Sequence, residues 1–434
     1  MNSISVWQFI RPSMVFVFAL TLLNCGGGGS GNTAPVPIQA PSITSFTASK
    51  NPTAPGSISF LMATFVNGVG SIDHGAGAIT SGVAVQVIPT ADTTYTLTVT
   101  NTEGAKVSAS ITITTTGAFT PVGPMITSRY GHTATLLPNG RVLLVGGNGQ
   151  SNNALPSAEI FDPTTGTFSA TGSMSIGRIY HTSNLLPNGK VLITGGVNQG
   201  NSTYYSTAEL YDPSLGRFTI TGPMSSAKGF HTGTLLPNGM VLITGGVNNS
   251  NFLRIAEIYN PATGYFFQTG SMGTTRFQHT AVLLSNSKVL VAGGFNGLQS
   301  AELYDQTTGT FTATGSMMYG RRFPNSILLA NGNALILGGE GMWAGDQYDP
   351  TAGTFRSTSS ANFQTIYGSL TLLPSGKVLF TGLFNQESVA DLYDPSSGVF
   401  TPTAPVPPGF GPFTATLLPN GKVLLAGGGS ALYQ

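Results

Sequence analysis

The sequence predicts an all-β chain, a propeller of seven blades closed by an N-terminal strand and preceded by a small β-sandwich. Three observations carry this reading. A unit Arg/Lys-x-x-His-Thr-x-x-Leu-Leu-Pro-Asn-Gly, a short apolar run, a Gly-Gly pair and then Ala-Glu-x-Tyr-Asp-Pro-x-x-Gly-x-Phe recurs from about residue 116 to the end. The glycine pairs at Gly146-Gly147, Gly195-Gly196, Gly245-Gly246, Gly293-Gly294, Gly338-Gly339, the degraded Gly382-Leu383 and Gly427-Gly428 are 49, 50, 48, 45, 44 and 45 residues apart. The chain then stops after the third strand of its last unit, and the missing fourth strand matches a segment ahead of the first unit.

Each unit reads as four short strands. His132 to Leu137 ends in Pro138-Asn139-Gly140, a turn in which glycine supplies a positive φ without steric cost. Arg141 to Val145 ends at the double glycine, where a second backbone can approach closely. Ala158 to Phe161 is closed by Asp162-Pro163, and a fourth strand passes through Phe168 towards Met174. Four strands in such a period is blade geometry, and radial repetition protects strand edges. Thr116 to Met125 matches Thr165 to Met174 in register, so it supplies the last blade's fourth strand.

The double glycines, the Tyr-Asp pairs (Tyr211-Asp212, Tyr304-Asp305, Tyr348-Asp349, Tyr393-Asp394) and the spacing resemble the kelch-repeat propellers, over about three-quarters of the chain. The tryptophan usual in that family near the fourth strand is replaced by Phe168, Phe218, Phe266, Phe311, Phe355 and Phe400. Galactose-oxidase-like copper radical enzymes share that central domain. The resemblance implies for them a cysteine crosslinked to a tyrosine, with histidine and tyrosine ligands. This chain's sole cysteine, Cys25, is not in the propeller, so on residue inventory that chemistry is not expected and no cofactor or metal is.

At the N-terminus, Arg11 precedes an apolar run, Met14 to Leu23, of signal-peptide rather than membrane-span length. Leu22-Leu23-Asn24-Cys25 resembles a bacterial lipobox. Residues 1–24 therefore read as a lipoprotein-type signal peptide, 25–40 as lipid anchor and flexible linker, 41–115 as an Ig-like sandwich and 116–434 as the propeller. The sandwich rests on alternation at Val83, Val85 and Val87 and at Tyr95, Leu97 and Val99. It resembles bacterial Ig-like spacer modules, though without the Trp and Cys of antibody domains. The expected location is the bacterial cell envelope, at the outer membrane or cell surface, held by lipid alone.

Seventeen basic against sixteen acidic residues leave no basic footprint for nucleic acid. Arg129/His132, Arg178/His181, Lys228/His231 and Arg276/His279 open successive first strands, and Glu159, Glu209, Glu257, Glu302, Asp346 and Asp391 open third strands, with Leu432 in that place in the last unit. Residues one blade apart diverge around a wide channel, so the histidines read as inter-blade hydrogen-bonding groups and the acids as structural partners of the basic residues. No catalytic residue stands out.

The connections between second and third strands vary most, and binding concentrates on variable loops over a rigid scaffold. Asn152, Asn198, Tyr204, Tyr205, Asn249, Phe252, Arg254 and Trp343 on them form a candidate face for a glycan or protein ligand. The expectation is thus a surface-anchored, non-enzymatic binding module. The alternative is an extracellular polysaccharide hydrolase or lyase. Radioactive fatty acid supplied to the producing cells should label the protein, and a Cys25→Ser variant should carry no label; equal labelling of both would refute lipidation at Cys25.

Overall fold

A computed structural model describes residues 39–434 except 52, 54–57, 91, 114, 116, 151–152, 199, 201, 250 and 366. The signal segment, Cys25 and Asn152 lie outside the described residues.

The first unit is a two-sheet sandwich. One sheet pairs Ser42–Ala48, Ser59–Val66 and Val85–Val87; the other orders Gly77–Ile79, Val69–Ile72, Thr93–Thr100 and Lys106–Ile113. Strict alternation in Ser59–Val66 buries Leu61, Ala63 and Phe65 against Leu97, Val99 and Ile113. Val83, expected in a strand, is exposed and precedes the short strand that keeps Val85 and Val87. His74 stays in its exposed turn, 3.0 Å from Asp73.

Seven four-stranded antiparallel sheets follow, six with their strands in chain order and the seventh completed by an N-terminal strand. The first blade runs Thr133–Leu136, Val142–Val145, Ala158–Asp162, Thr167–Ala170. Its second strand is buried throughout, as the unbroken apolar run requires. At the Pro-Asn-Gly turn the Leu137 amide donates to Arg141 O (2.8 Å), the Asn139 side chain accepts from the Arg141 amide (3.1 Å), and Gly140 takes φ 81°. In the seventh blade Phe119–Pro121 pairs with Ser430–Tyr433, placing Phe119 opposite Tyr433. The first strands lie side by side around the axis, the seventh returning to the first. In register, Ala431 and not Leu432 faces Leu425, as Glu159 faces Leu144; the last unit's lost acid is therefore Ala431, one residue earlier than the sequence suggested, because the Gly-Gly connection there is shorter.

Two seams join neighbouring blades. On the outer seam, a tyrosine of the third strand bonds a threonine of the preceding blade in Tyr211–Thr171 (2.8 Å), Tyr259–Thr221 (2.9 Å), Tyr304–Thr269 (2.9 Å) and Tyr348–Thr314 (2.8 Å), whereas Tyr393 accepts from the side-chain amide of Gln347. The phenylalanine that replaces tryptophan packs on that tyrosine, Phe218 at 4.9 Å from Tyr211. On the inner seam, histidine Nε2 meets threonine hydroxyls of the preceding blade: His181–Thr133 3.0 Å, His231–Thr194 3.0 Å, His279–Thr244 3.1 Å and His132–Thr414 3.1 Å. Burial holds His132, His181 and His279 down to about 3, and His231 well below the ordinary value.

Inside each of the first five blades a fully buried cation meets a buried carboxylate: Arg129–Glu159 2.6 Å, Arg178–Glu209 3.0 Å, Lys228–Glu257 2.9 Å, Arg276–Glu302 3.0 Å and Arg321–Asp346 2.7 Å. Arg129 also donates to the carbonyl of Gly146 (2.8 Å), and Glu159 accepts from the amides of Ile126 and Thr127 (2.8 and 2.9 Å). Gly146 is in the left-handed region (φ 64°), and a Cβ there would lie 2.6 Å from the carbonyl of Arg178, the clamp residue of the next blade. In the sixth blade no cation pairs with Asp391 among the described residues; Asn362 serves it through its amide N–H (2.7 Å) and side chain (3.0 Å), and burial raises the Asp391 pKa.

Deleting residues 116–125 should lower the melting temperature sharply, since it unpairs both closing edges; an unchanged melt would refute closure. The four ring histidines have folded pKa values depressed below the ordinary value of 6.5. The unfolded chain therefore takes up protons first as pH falls, and stability present above about pH 6.5 is lost towards pH 3, at up to ~1.4 kcal/mol per pH unit per group. Denaturant titrations between pH 7 and 4.5 should show this slope, and His231→Gln should reduce it by about one proton. A wild-type curve flat over that window would refute neutral burial.

Candidate functional site

The loop that enters each blade carries the cation position (Thr365 in blade six, Phe410 in blade seven), two variable residues and then the histidine position. The second variable residue is left-handed in five consecutive blades: Gly131 (φ 64°), Tyr180 (52°), Phe230 (55°), Gln278 (54°) and Phe323 (58°). This conformation aims each amide at its neighbour. Tyr180 N–H donates to Gly131 O (3.3 Å), Phe230 to Tyr180 (3.1 Å), Gln278 to Phe230 (3.1 Å) and Phe323 to Gln278 (3.0 Å). A backbone arc thus runs from blade one to blade five around the axis. It does not continue beyond: the Tyr367 amide turns to Thr365 Oγ1 (3.2 Å), and blade seven has Pro412, which has no N–H.

The side chains of these residues line a cavity of about 300 Å³ on the propeller axis, together with the neutral histidines, Asn325 and Tyr367. Its aromatic wall is continuous. Tyr180 stacks on Phe230 at 4.0 Å, Phe230 meets Phe323 edge-on at 6.2 Å, and Phe323 meets Tyr367 at 5.7 Å. Beside it, Arg322 donates from Nε to Gln278 Oε1 (2.8 Å) and from Nη1 to Glu340 (3.1 Å). The wall therefore offers ring faces, amides and phenols, the chemistry that binds a polyhydroxylated molecule.

The sequence-derived loop residues lie elsewhere. None of the seven described ones lines the axial cavity. Asn198 accepts the Gly200 amide (3.0 Å) and Asn249 is left-handed (φ 46°), so both serve turns. Tyr204 pairs with Val197 in a short ribbon, and Tyr205 lies under the Arg178 guanidinium at 5.6 Å. Phe252 stacks on Phe277 at 4.7 Å, Trp343 stands edge-on to Phe384 at 5.7 Å, and Arg254 is exposed. They are spread over the loop face rather than gathered into one site.

Sequence reasoning passed over Tyr180, Phe230, Gln278, Phe323 and Tyr367 because each is an unmarked x in the repeat. The available signal was that this x changes from Gly to Tyr, Phe, Gln, Phe, Tyr and Pro beside an otherwise regular pattern.

No family model matches the chain and no curated protein does. Among solved structures it is similar to a fungal alcohol oxidase of the AA5 family in complex with copper, with a TM-score of 0.60 and 17% identity over 73% of this chain and 76% of that one. This likeness shows the fold. It also corrects the expectation of a non-enzymatic binding module, because the solved relative of this scaffold is an enzyme. The donor set here does not fit copper. Among the described residues no three His, Cys, Asp or Glu side chains converge, and the four ring histidines spend Nε2 on threonines of neighbouring blades. What the chain shares with that enzyme is a propeller scaffold, and its own axial cavity is the candidate active site.

Proposed function

We propose that this protein is an exported, lipid-anchored enzyme that cleaves a glycan at the axial cavity of its propeller. One observation carries the reading. The fold needs a left-handed residue at the entry position, and Gly131 meets that need in blade one. Blades two to five place Tyr180, Phe230, Gln278 and Phe323 there, side chains that tolerate this backbone poorly, at about 1–3 kcal/mol each. Backbone geometry does not call for those side chains, and all four face one cavity. Strain concentrated around a cavity marks a site.

The lining suits sugar rings, which stack on aromatic faces and bond to amides. The groups able to move a proton there are the phenols of Tyr180 and Tyr367, while burial keeps the histidines neutral. Among the described residues no carboxylate lines the cavity, so hydrolysis by a flanking carboxylate pair is not supported. The sequence features around Cys25 and the glycine-rich segment after it support display at the cell envelope.

The full mature protein, incubated with a panel of neutral and acidic extracellular polysaccharides, should release oligosaccharides from at least one. Phe230→Gly and Tyr180→Gly should melt no lower than wild type, because glycine relieves the strain, yet raise KM roughly tenfold through lost stacking. No product from any polymer, or glycine variants with wild-type kinetics, would overturn the reading.

A further inference from the structure

We infer that Arg322 is the receptor for a carboxylate of the substrate, so that the glycan cleaved is a polymer containing uronic acid and the cleavage is a β-elimination. The inference rests on the axial cavity being the active site. Arg322 occupies the first variable position of its entry loop, where the other six blades carry Tyr130, Ile179, Gly229, Phe277, Ile366 and Gly411. It is the one charged residue in that place, and it is not the clamp, a role already filled by Arg321.

Its guanidinium is held from three directions. Nε is fixed by Gln278 and Nη1 by Glu340, while the plane lies over Phe295 at 5.2 Å and Phe323 at 5.3 Å. Nη2 makes no hydrogen bond among the described residues, and the side chain is 36% exposed. Two of its supports, Gln278 and Phe323, line the cavity. Arg322 itself is not among the lining residues, but a planar fork held by Gln278 and Glu340 with free donors beside the cavity is suited to a carboxylate, which it meets with parallel hydrogen bonds. Glu340 does not cancel this charge, since it is 62% exposed and its pairing is screened by water.

A carboxylate bound there acidifies the adjacent sugar C–H, which opens a route that needs neither water nor a second carboxylate. Tyr367 is the phenol nearest Arg322 in the aromatic chain, one ring away through Phe323, whereas Tyr180 is two rings away. The step requires the Tyr367 Oη to enter deprotonated, and that oxygen then takes the C5 proton of the uronate. The C–H electron pair becomes the C4–C5 double bond, the C4–O bond breaks with its electrons passing to oxygen, and the new phenol returns the proton to that oxygen. The products are a chain with a fresh hydroxyl and a chain with an unsaturated uronate end, and the phenolate is restored.

The test uses the full mature protein with polygalacturonate, alginate and hyaluronan as acidic polymers, and with dextran and amylose as neutral ones. Wild type should generate the ultraviolet absorbance of unsaturated uronate ends from an acidic polymer. Arg322→Gln and Arg322→Lys should each lose roughly a hundredfold in kcat/KM on it, with unchanged melting. Tyr367→Phe should lose turnover and keep polymer binding. Cleavage confined to neutral polymers, or acidic polymers cleaved without unsaturated ends, would overturn this inference and leave the glycan-cleaving reading standing. Full activity in Arg322→Gln would overturn it too, and cleavage of no polymer would overturn both.

Discussion

The rest of the structure depends on the buried cation–carboxylate clamp at the entry of the first five blades. Removing two charges from water costs several kcal/mol per ion, and only complete hydrogen bonding returns it. Here that condition is met in large part, although the buried Nε of Arg129 and of Arg178 has no partner among the described residues. Arg178 serves Gly195 O, Thr207 O and Glu209, and Glu209 in turn accepts the Ser175 amide and hydroxyl. The clamp thereby ties the end of the second strand, the start of the third and the loop arriving from the previous blade to one point. Leaving one partner alone would strand a buried charge, which is why cation and acid are lost together in blade seven. Phe410 and Phe413 fill the cation and histidine positions there and pack edge-on at 5.7 Å, with Ala431 where the acid stood.

The arc around the axis follows from the clamp. A loop pinned at its cation can hold the residue two places later in a left-handed conformation, with its amide directed at the neighbouring blade. Where the clamp is present, in blades one to five, the left-handed residues form a continuous arc. Blade six has Thr365 instead. Its hydroxyl accepts the amides of Tyr367 and Leu383, and a Cβ on Gly382 would lie 2.6 Å from its side chain. The arc ends there, and Tyr367 enters the cavity on different backbone terms from Tyr180. The sevenfold repeat thus contains a functional asymmetry: a regular wall from five blades and an irregular sector from two. Tyr367 lies in that sector, and Arg322 stands at the last regular blade beside it.

The fold was legible because its information is periodic. Gly140, Gly166 and the double glycines mark backbone conformations that other residues adopt at a cost, so turns and strand ends can be read from residue type alone. The pairing of Arg129 with Glu159 was legible for the same reason, since cation and acid recur together in five units and are both gone in the seventh; the sixth, with Thr365 beside Asp391, breaks the pattern. Blade seven shows the limit: its connection is shorter, and alignment by eye moved the acid position from Ala431 to Leu432. The site was not legible. Periodicity identifies what recurs, whereas Tyr180, Phe230, Gln278 and Phe323 matter because they differ at a recurring position. That they converge on the axis follows from the left-handed backbone, which nothing in their residue types announces. Loop variability drew attention instead to Asn198 and Asn249, whose side chains or backbones are used in turns.

The copper-bound alcohol oxidase on a similar scaffold removes the argument that a repeat this regular must be inert, and it supplies no chemistry for this chain. Here the first strands are committed to one another through the histidine–threonine seam, which occupies the Nε2 atoms that a metal would take, while burial keeps the rings neutral. Chemistry is then left to residues that the seam does not use: phenols, amides, ring faces and a single braced guanidinium. Such a set cannot activate water strongly, but it can hold a carboxylate, orient a sugar against aromatic rings and pass one proton. The elimination we propose, which consumes no water and returns its proton, asks no more of these residues than that.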